Sequence, residues 1–240
     1  MAVIGIDLGT TNSLAGVWQD GKVVLIPNAF GEYLTPSVVS IGKNQEVFVG
    51  SVAKEMLATQ PYDTFREFKR NMGTNFLYGN GRKKYRAEEL SAFVLRRLKE
   101  DAEKFLGEEV TEAVISVPAY FDDNKRNATK NAGRLAGLKV ERLINEPSAV
   151  ALKHHTAEKG AESFIVFDFG GGTLDVSLVE AFDNVVEIQA VAGDNYLGGK
   201  DFNEIIAQDF YEQNQISEAY LTKNEQENVL KEGEGVKKEV

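Results

Sequence analysis

Residues Gly5-Ile6-Asp7-Leu8-Gly9-Thr10-Thr11-Asn12-Ser13 form the segment from which the architecture of this chain can be inferred. The β-branched residues just before and within this segment predict a short buried strand that ends near Asp7. Gly9 permits a tight turn, and the apolar residues at positions 14–18 predict a strand that returns beside the first one. The segment therefore predicts a β-hairpin with a polar tip.

The tip of this hairpin carries groups that can bind a phosphate. The backbone N–H groups near Gly9 are not shielded by a side chain, and Thr10, Thr11 and Asn12 add hydroxyl and amide groups. Asp7 stands at the end of the strand, where a carboxylate can hold a hydrated cation. A hairpin whose polar tip binds nothing explains this segment equally well, so the segment alone leaves both interpretations open.

A second copy of the pattern favours the binding interpretation. The segment Ile165-Val166-Phe167-Asp168-Phe169-Gly170-Gly171-Gly172-Thr173-Leu174-Asp175-Val176-Ser177-Leu178-Val179 again has a β-run, an Asp, a glycine turn with Thr and another β-run. Two such hairpins indicate an internal duplication that could grip one triphosphate from both sides. Neither G-x-x-x-x-G-K-[ST] nor G-x-G-x-x-G occurs, so the site differs from the usual strand-to-helix phosphate loop.

The composition narrows the classes of function. A formal net charge of -10 over 240 residues argues against a surface for nucleic acid or for an anionic membrane, because Lys and Arg would have to outnumber acids locally. The sequence has no Cys, which excludes disulfides and thiol catalysis and fits a reducing cytosol. No leader segment and no apolar run of membrane-spanning length is present. We therefore expect a soluble, cytoplasmic protein with no nucleic-acid or membrane partner.

Strands alternate with helices along the rest of the chain, which predicts an α/β architecture. Further strands are predicted at residues 22–26, 36–41, 46–49, 113–117, 139–144 and 185–191. Helices are predicted after a cap at Ser51, at residues 88–106 with a stop at Gly107, after a cap at Asp122 or Asp123, from Pro147 to about His154, and from Asp201 onward. Residues 231–240 carry a helix-like charge pattern interrupted by two glycines, and the absence of a capping signal there suggests that the native chain continues.

The two hairpins resemble those of the actin-like ATPase superfamily, whose members grip nucleotide phosphates between two duplicated lobes. Within that superfamily, four further strings resemble the heat-shock protein 70 (DnaK-like) chaperones: Val117-Pro118-Ala119-Tyr120-Phe121, Ala132-Gly133-Arg134-Leu135-Ala136-Gly137-Leu138, Ile144-Asn145-Glu146-Pro147 and Gly193-Asp194-x-x-Leu197-Gly198-Gly199-x-Asp201-Phe202. Together with the hairpins, in the same order, they span essentially the whole chain.

Three departures from the family pattern are informative. Ser148 replaces the usual Thr and keeps its hydroxyl, whereas Lys200 stands where the family has Glu, so any salt bridge of that Glu is in doubt. The segment 71–86 is much shorter than in the common members. A short lobe of this kind resembles the specialised bacterial HscC-like branch.

The resemblance implies an actin-like, ribonuclease H-like duplicated α/β fold. Residues 1–162 would form the first lobe, with a smaller outer subdomain at about 38–110, and residues 163–240 would form only the start of a truncated second lobe. The family holds the adenosine of ATP with the outer part of the second lobe and with a later glycine-rich loop. We therefore expect the 240-residue chain alone to bind ATP weakly, to turn it over negligibly and to expose an apolar face on its second lobe.

The resemblance also assigns roles to individual residues. Asp7 and Asp168 would hold Mg²⁺ through its water shell. Phosphate oxygens of ATP or ADP would be bound by the two turns, that is by Gly9, Thr10, Thr11 and Asn12 and by Gly170, Gly171, Gly172 and Thr173. The catalytic group would be Lys69, Glu146, Thr173 and Asp175, acting on the γ-phosphate and on the attacking water. By sequence alone Lys69 is one of many surface lysines, and Glu146 is equally explained as an acid at a helix N-terminus.

The function implied is that of an ATP-hydrolysing chaperone domain. Its nucleotide state would control peptide binding by a separate C-terminal domain, with Pro118 and Arg126 relaying that state between the domains. The partners implied are unfolded or extended peptides, a J-domain co-chaperone and a nucleotide-exchange factor. Two alternatives stay open: a sugar-kinase-type phosphotransferase, for which no acceptor pocket is recognisable, and an actin-like filament ATPase.

Overall fold

The first hairpin lies inside the largest sheet of the computed structural model, which describes residues 2–79, 83–154, 160–182 and 185–239. Strand β1 (Ala2–Leu8) pairs antiparallel with β2 (Asn12–Gln19), and β3 (Lys22–Ile26) follows on the far side of β2. On its other edge β1 pairs in parallel with β8 (Val110–Val117), which pairs in parallel with β9 (Lys139–Asn145). The predicted first hairpin is confirmed.

Two helices cover one face of this sheet. Helix α2 (Ala87–Leu106) buries an apolar stripe at helical spacing, and Gly107 ends it in a left-handed conformation with φ of 70°, as predicted. Helix α3 (Asp123–Leu135) begins after Asp122, whose carboxylate accepts a hydrogen bond from the Lys125 N–H at 2.9 Å. The core joins these helices to the alternate, inward-facing residues of β1, namely Ile4, Ile6 and Leu8.

A smaller antiparallel sheet, in the order β6-β5-β7, lies beside the first hairpin. It consists of β5 (Val38–Ile41), β6 (Val47–Val49) and β7 (Thr64–Arg66), with α1 (Ser51–Thr59) between the last two strands. A 3-10 helix (Phe68–Asn71) follows β7.

Two sequence predictions for this region are wrong in detail. The single strand predicted at 36–41 is divided, because β4 (Thr35–Pro36) pairs with β2 while the N–H of Ser37 donates to the carbonyl of Thr11 instead of to a strand ladder. Ser51 is the first residue of α1 and not its cap. The cap position belongs to Gly50, whose φ of 81° suits a glycine, and no side chain completes the cap.

The second predicted hairpin is also confirmed. Strands β10 (Glu162–Phe169) and β11 (Leu174–Phe182) pair antiparallel, and β12 (Val185–Asp194) pairs with β11. Helix α4 (Glu146–His154) packs on one face of this sheet, where Ala151, Val166 and Val179 form a small buried cluster. The opposite face is apolar and open, with Ile165 and Phe167 67% and 65% exposed. The expected exposed apolar face is thus present.

Helix α5 (Gly199–Gln213), a 3-10 helix (Glu218–Tyr220) and helix α6 (Lys223–Glu239) complete the described chain. The segment whose helix-like charge pattern contains two glycines is helical, and α6 continues through Gly233 and Gly235. A Cβ added at Gly233 would lie 3.5 Å from both the Asn203 carbonyl oxygen and the Ile206 side chain. Because α6 packs closely on α5 at this point, a small residue is favoured there. No helix among the described residues is long and apolar enough to cross a bilayer.

Candidate functional site

The turns of the two hairpins meet across a cleft of about 920 Å³. A side chain on Gly171 would place its Cβ 2.1 Å from the Thr11 hydroxyl oxygen, and one on Gly9 would place it 2.0 Å from the Asn12 carbonyl oxygen. Glycine is therefore required at Gly171 for the two turns to approach each other, and at Gly9 for the first turn to fold tightly on itself. The cleft is large enough for a small organic ligand.

The structure brings most of the predicted site residues to this cleft. Its walls include both turns, the two strand-end aspartates, the lysine after β7 and the first residue of α4, namely Asp7, Gly9, Thr10, Thr11, Asn12, Lys69, Glu146, Asp168, Gly170, Gly171 and Thr173. Gly172 lies just behind the wall, where its carbonyl accepts a hydrogen bond from Arg70. These residues come from distant parts of the chain, and the two hairpins together position them.

Asp7 and Asp168 give the cleft a pair of negatively charged oxygen donors. The Ser116 hydroxyl donates to Asp7 Oδ1 at 2.7 Å and fixes that carboxylate. Burial raises the pKa of Asp168, the charge of Asp7 raises it further, and Lys69 opposes both effects. No cluster of three or more His, Asp or Glu side chains suited to a metal occurs in the described part of the chain. Two carboxylates without a closed ligand cage fit a hydrated divalent cation such as Mg²⁺.

Lys69 and Glu146 form an ion pair across the cleft. The ammonium of Lys69 lies 2.8 Å from Glu146 Oε1, and the two side chains are 8% and 17% exposed. Lys69 is held by the 3-10 helix and Glu146 by the start of α4, so the pair joins two separate elements. A buried ammonium in this position can be shared with an anionic ligand that enters the cleft.

Asp175 lies in a small adjoining cavity that Glu146, Asp168 and Pro118 also line. Burial and the neighbouring charge of Glu146 raise the pKa of Asp175 to about 6, although a hydrogen bond from Thr173 lowers it. A carboxylate with a pKa near neutrality can accept a proton or orient a water molecule at physiological pH. The predicted residues Thr173, Asp175 and Glu146 therefore lie in one neighbourhood.

Arg126 does not line the cleft. Its guanidinium donates to the Phe121 carbonyl and to Asn145 Oδ1, both at 2.8 Å. These bonds connect the loop after Pro118 to the residue that precedes Glu146. Arg126 thus lies behind the cleft wall and in contact with the segments that form it.

Sequence reasoning missed several residues that shape this site. Arg70 donates to the Gly172 carbonyl, pairs with Glu67 at 3.2 Å, and keeps a buried Nε without a partner. No local pattern distinguishes it from other surface arginines. Ser116 could have been found only by knowing that β8 lies next to β1, since Ser116 is the register partner of Asp7.

Lys200 makes an ion pair of its own in place of the family's Glu. Its ammonium lies 2.8 Å from Glu67 Oε2 and 3.3 Å from Glu204 Oε1. Because Glu67 precedes the 3-10 helix and Lys200 lies in the first turn of α5, this pair joins the two hairpin regions beside the cleft.

A family model described as "Hsp70 protein" matches residues 3–79 and 77–240 of the chain. The matched segments run together from residue 3 to residue 240, so one model includes both hairpins and every residue of the cleft wall. The resemblance that the sequence motifs suggested is therefore found over nearly the full length of the chain.

Proposed function

The chain belongs to the Hsp70 family, and on this premise we propose that it binds ATP or ADP with Mg²⁺ in the cleft between its glycine turns and hydrolyses ATP there. Domains of this family bind ATP and ADP with Mg²⁺ and are ATPases in general. The observation that carries the proposal is the approach of Gly171 to Thr11, which leaves no room for a side chain between the turns. Turns so arranged present backbone N–H groups to one anion from two sides.

The residues of the cleft fit a magnesium nucleotide. Asp7 and Asp168 would hold the ion through its water shell, and when bound the ion would neutralise charge on the phosphate groups. Thr10, Thr11 and the 170–173 turn would bind phosphate oxygens. Arg70 does not line the cleft, and it would instead hold the second turn in place through its hydrogen bond to the Gly172 carbonyl.

Hydrolysis would depend on positioning and charge, with no covalent intermediate. Lys69 would move part of its interaction from Glu146 to the terminal phosphate and stabilise the charge that develops in the transition state. Glu146 and Thr173 would orient the bound water and phosphate, and Asp175 would accept a hydrogen bond from the attacking water. A pKa of about 6 keeps most Asp175 ionised at pH 7, as this role requires.

The finer assignments go further than family membership. We propose that nucleotide state controls peptide binding by a C-terminal domain, that Pro118 and Arg126 relay it, and that a J-domain co-chaperone and an exchange factor act on the cycle. The bonds of Arg126 to the loop after Pro118 and to Asn145, the residue before Glu146, support the relay. The short segment after Asn71, of which residues 80–82 lie outside the described part, supports the HscC-like branch. A cytoplasmic location remains a prediction from the cysteine-free sequence.

A division into lobes is supported by comparing the two hairpins. Strand β1 has a parallel neighbour, β8, on the edge opposite β2, whereas β10 has none among the described residues. We propose residues 1–162, with an outer subdomain at about 38–110, as the first lobe and residues 163–240 as the start of a second lobe. The 240-residue chain alone would then hold ATP weakly and turn it over negligibly.

ATP turnover by the complete protein, with and without an unfolded peptide, tests this function. We expect phosphate release that needs Mg²⁺ and no added acceptor, and that rises when peptide is present. Transfer of phosphate to a sugar would indicate a phosphotransferase. Light scattering that increases with ATP would indicate a filament-forming protein. Either result, without stimulation by peptide, would overturn the chaperone assignment.

A further inference from the structure

We propose that Ser37, supported by Ser13, is a positioning residue that fixes the first glycine turn in the conformation that receives phosphate. This inference deepens the proposed nucleotide-binding function and rests on it. It concerns a residue that lies between the small outer sheet and the first hairpin and that belongs to neither ladder.

Ser37 holds both ends of the turn. Its hydroxyl donates to the Gly9 carbonyl at 2.8 Å, and its N–H donates to the Thr11 carbonyl at 2.8 Å. One residue therefore binds the first and the third carbonyl of the Gly9-Thr10-Thr11 sequence.

A second buried hydroxyl completes the arrangement. The oxygens of Ser13 and Ser37 are 2.9 Å apart, and the two residues are 0% and 1% exposed. Because the single proton of the Ser37 hydroxyl is directed to Gly9, the proton between the two oxygens must come from Ser13. The result is a directed chain from Ser13 to Ser37 to the Gly9 carbonyl, in which each bond polarises the next.

The turn needs this support because none of its three residues is fully buried. Gly9 cannot carry a side chain, Thr11 is exposed, and Thr10 is only partly buried. Carbonyl oxygens repel phosphate, whereas backbone N–H groups attract it. Holding the carbonyls of Gly9 and Thr11 on Ser37 removes the need to reorganise the turn when the anion binds, and such preorganisation improves affinity.

Ser40 offers a matched control on the next strand. It is 0% exposed, and its hydroxyl is hydrogen-bonded to the Thr64 hydroxyl at 2.9 Å within the small outer sheet. Replacement of either serine by Ala removes one buried hydroxyl at a similar position in the chain. Only the Ser37 change removes a bond to the glycine turn.

The experiment places Ser37→Ala and Ser40→Ala in the complete protein and compares each with the unaltered complete protein by amide hydrogen exchange without ligand and by calorimetric titration with Mg·ATP. In Ser37→Ala we expect exchange of the residue 37 amide, which donates to the Thr11 carbonyl, to accelerate about tenfold and ATP affinity to fall about tenfold, the effect of one neutral hydrogen bond. Ser40→Ala should change neither value by more than about twofold, although both variants lose similar thermal stability.

Equal changes in the two variants would show that Ser37 is only structural and would overturn the inference. Unchanged exchange of the residue 37 amide in Ser37→Ala would overturn it as well. Failure of the unaltered protein to bind ATP would refute the proposed function instead, and the exchange data would still decide whether Ser37 orders the turn.

Discussion

At the scale of single residues, the cleft concentrates acidic groups around one ammonium. Lys69 is bonded to Glu146 and lowers the pKa of both Asp168 and Asp175 against the effect of burial. This arrangement gives Lys69 a role that no other described lysine shares, since it is both buried and directed into the cleft.

We expect Lys69→Ala to lose most of its ATP hydrolysis while nucleotide binding by the complete ATPase domain largely survives. A contact that acts on charge developing in the transition state is worth roughly 10²–10³-fold in rate. Single-turnover hydrolysis from a preformed ATP complex measures this effect. Lys153→Ala is the control, because Lys153 also lines the cleft but is exposed. A rate close to that of the unaltered protein would refute the role assigned to Lys69.

Asp175 provides a prediction about pH. Because the folded state raises the pKa of this carboxyl from 3.8 to about 6, the folded protein binds the proton more tightly than the unfolded chain does. The stability that the group contributes is therefore present below the unfolded pKa and is lost as pH rises through about 6. Replacing the Asp175 carboxylate with a neutral side chain should therefore prevent the loss of stability at high pH.

We expect metal-free Asp175→Asn to be more stable than the unaltered protein at pH 8 by about 1 kcal/mol, after allowing for screening at a half-buried group. The difference should nearly disappear near pH 3, below the unfolded pKa of 3.8, where the carboxyl is mostly neutral in both the folded and the unfolded state. Urea unfolding in EDTA at the two pH values measures it. A difference of the same size at both values would mean that charge is not the cause.

The sequence predicts residues of the site where the pattern is local. Asp7 and Asp168 are identifiable because each ends a β-run before a glycine turn, and duplication of that pattern indicates a shared site. Ser37, Arg70 and Ser116 are not identifiable in this way. Their partners lie 28, 102 and 109 positions away in the chain, so their contacts depend on how the strands are ordered.

At the scale of elements, periodicity and capping residues predict most of the strands and helices correctly. Tertiary contacts account for the exceptions. The strand predicted at 36–41 divides because Ser37 binds the first turn, and α6 continues through two glycines because it packs on α5 and α1. In both cases a long-range contact outweighs local propensity. Gly133 in α3 and Gly235 in α6 allow the effect of long-range packing and the effect of local helix propensity to be measured separately.

We expect Gly133→Ala to destabilise the fold and Gly235→Ala to stabilise it. A Cβ at Gly133 would lie 2.3 Å from Cγ2 of Val140 on β9, so the packing of α3 on the sheet must loosen, at a cost of about 1–3 kcal/mol. A Cβ at Gly235 would meet nothing within 4 Å, and Ala is favoured over Gly in a helix by up to about 1 kcal/mol. Urea unfolding of both variants tests this. Destabilisation by both would show that α6 also needs its glycine.

At the scale of the whole molecule, the two hairpin regions are joined beside and above the cleft. Lys200 pairs with Glu67 beside the turns, and α6 pairs with α1 through Lys54–Glu234 and Lys231–Glu55 at 3.0 and 2.6 Å. These pairs are partly exposed, so each contributes little and salt weakens them.

The open face of the β10–β11–β12 sheet is the surface on which we expect chains to associate. One side of β10 carries a row of exposed apolar side chains, namely Ile165, Phe167 and Phe169. The outer edge of this strand is unpaired among the described residues. Phe169 extends the apolar patch by contacting Phe202 at a ring-centroid distance of 6.0 Å. An apolar face beside a free strand edge favours association between chains. Replacing apolar residues on this face with polar ones should weaken that association.

We therefore expect the 240-residue chain to self-associate, with a mass in sedimentation that rises with protein concentration, and Phe167→Gln to reduce this association several-fold. Phe30→Gln is the control, because Phe30 is 63% exposed, as Phe167 is at 65%, but lies on a connecting loop. Both variants should keep the circular dichroism of the unaltered chain, since neither side chain is buried. Equal reductions would show that exposed phenylalanine in general, and not this face, drives association. Association that Phe167→Gln leaves intact and Trp18→Gln removes would place the contact on the outer face of the first hairpin, where Trp18 is 70% exposed.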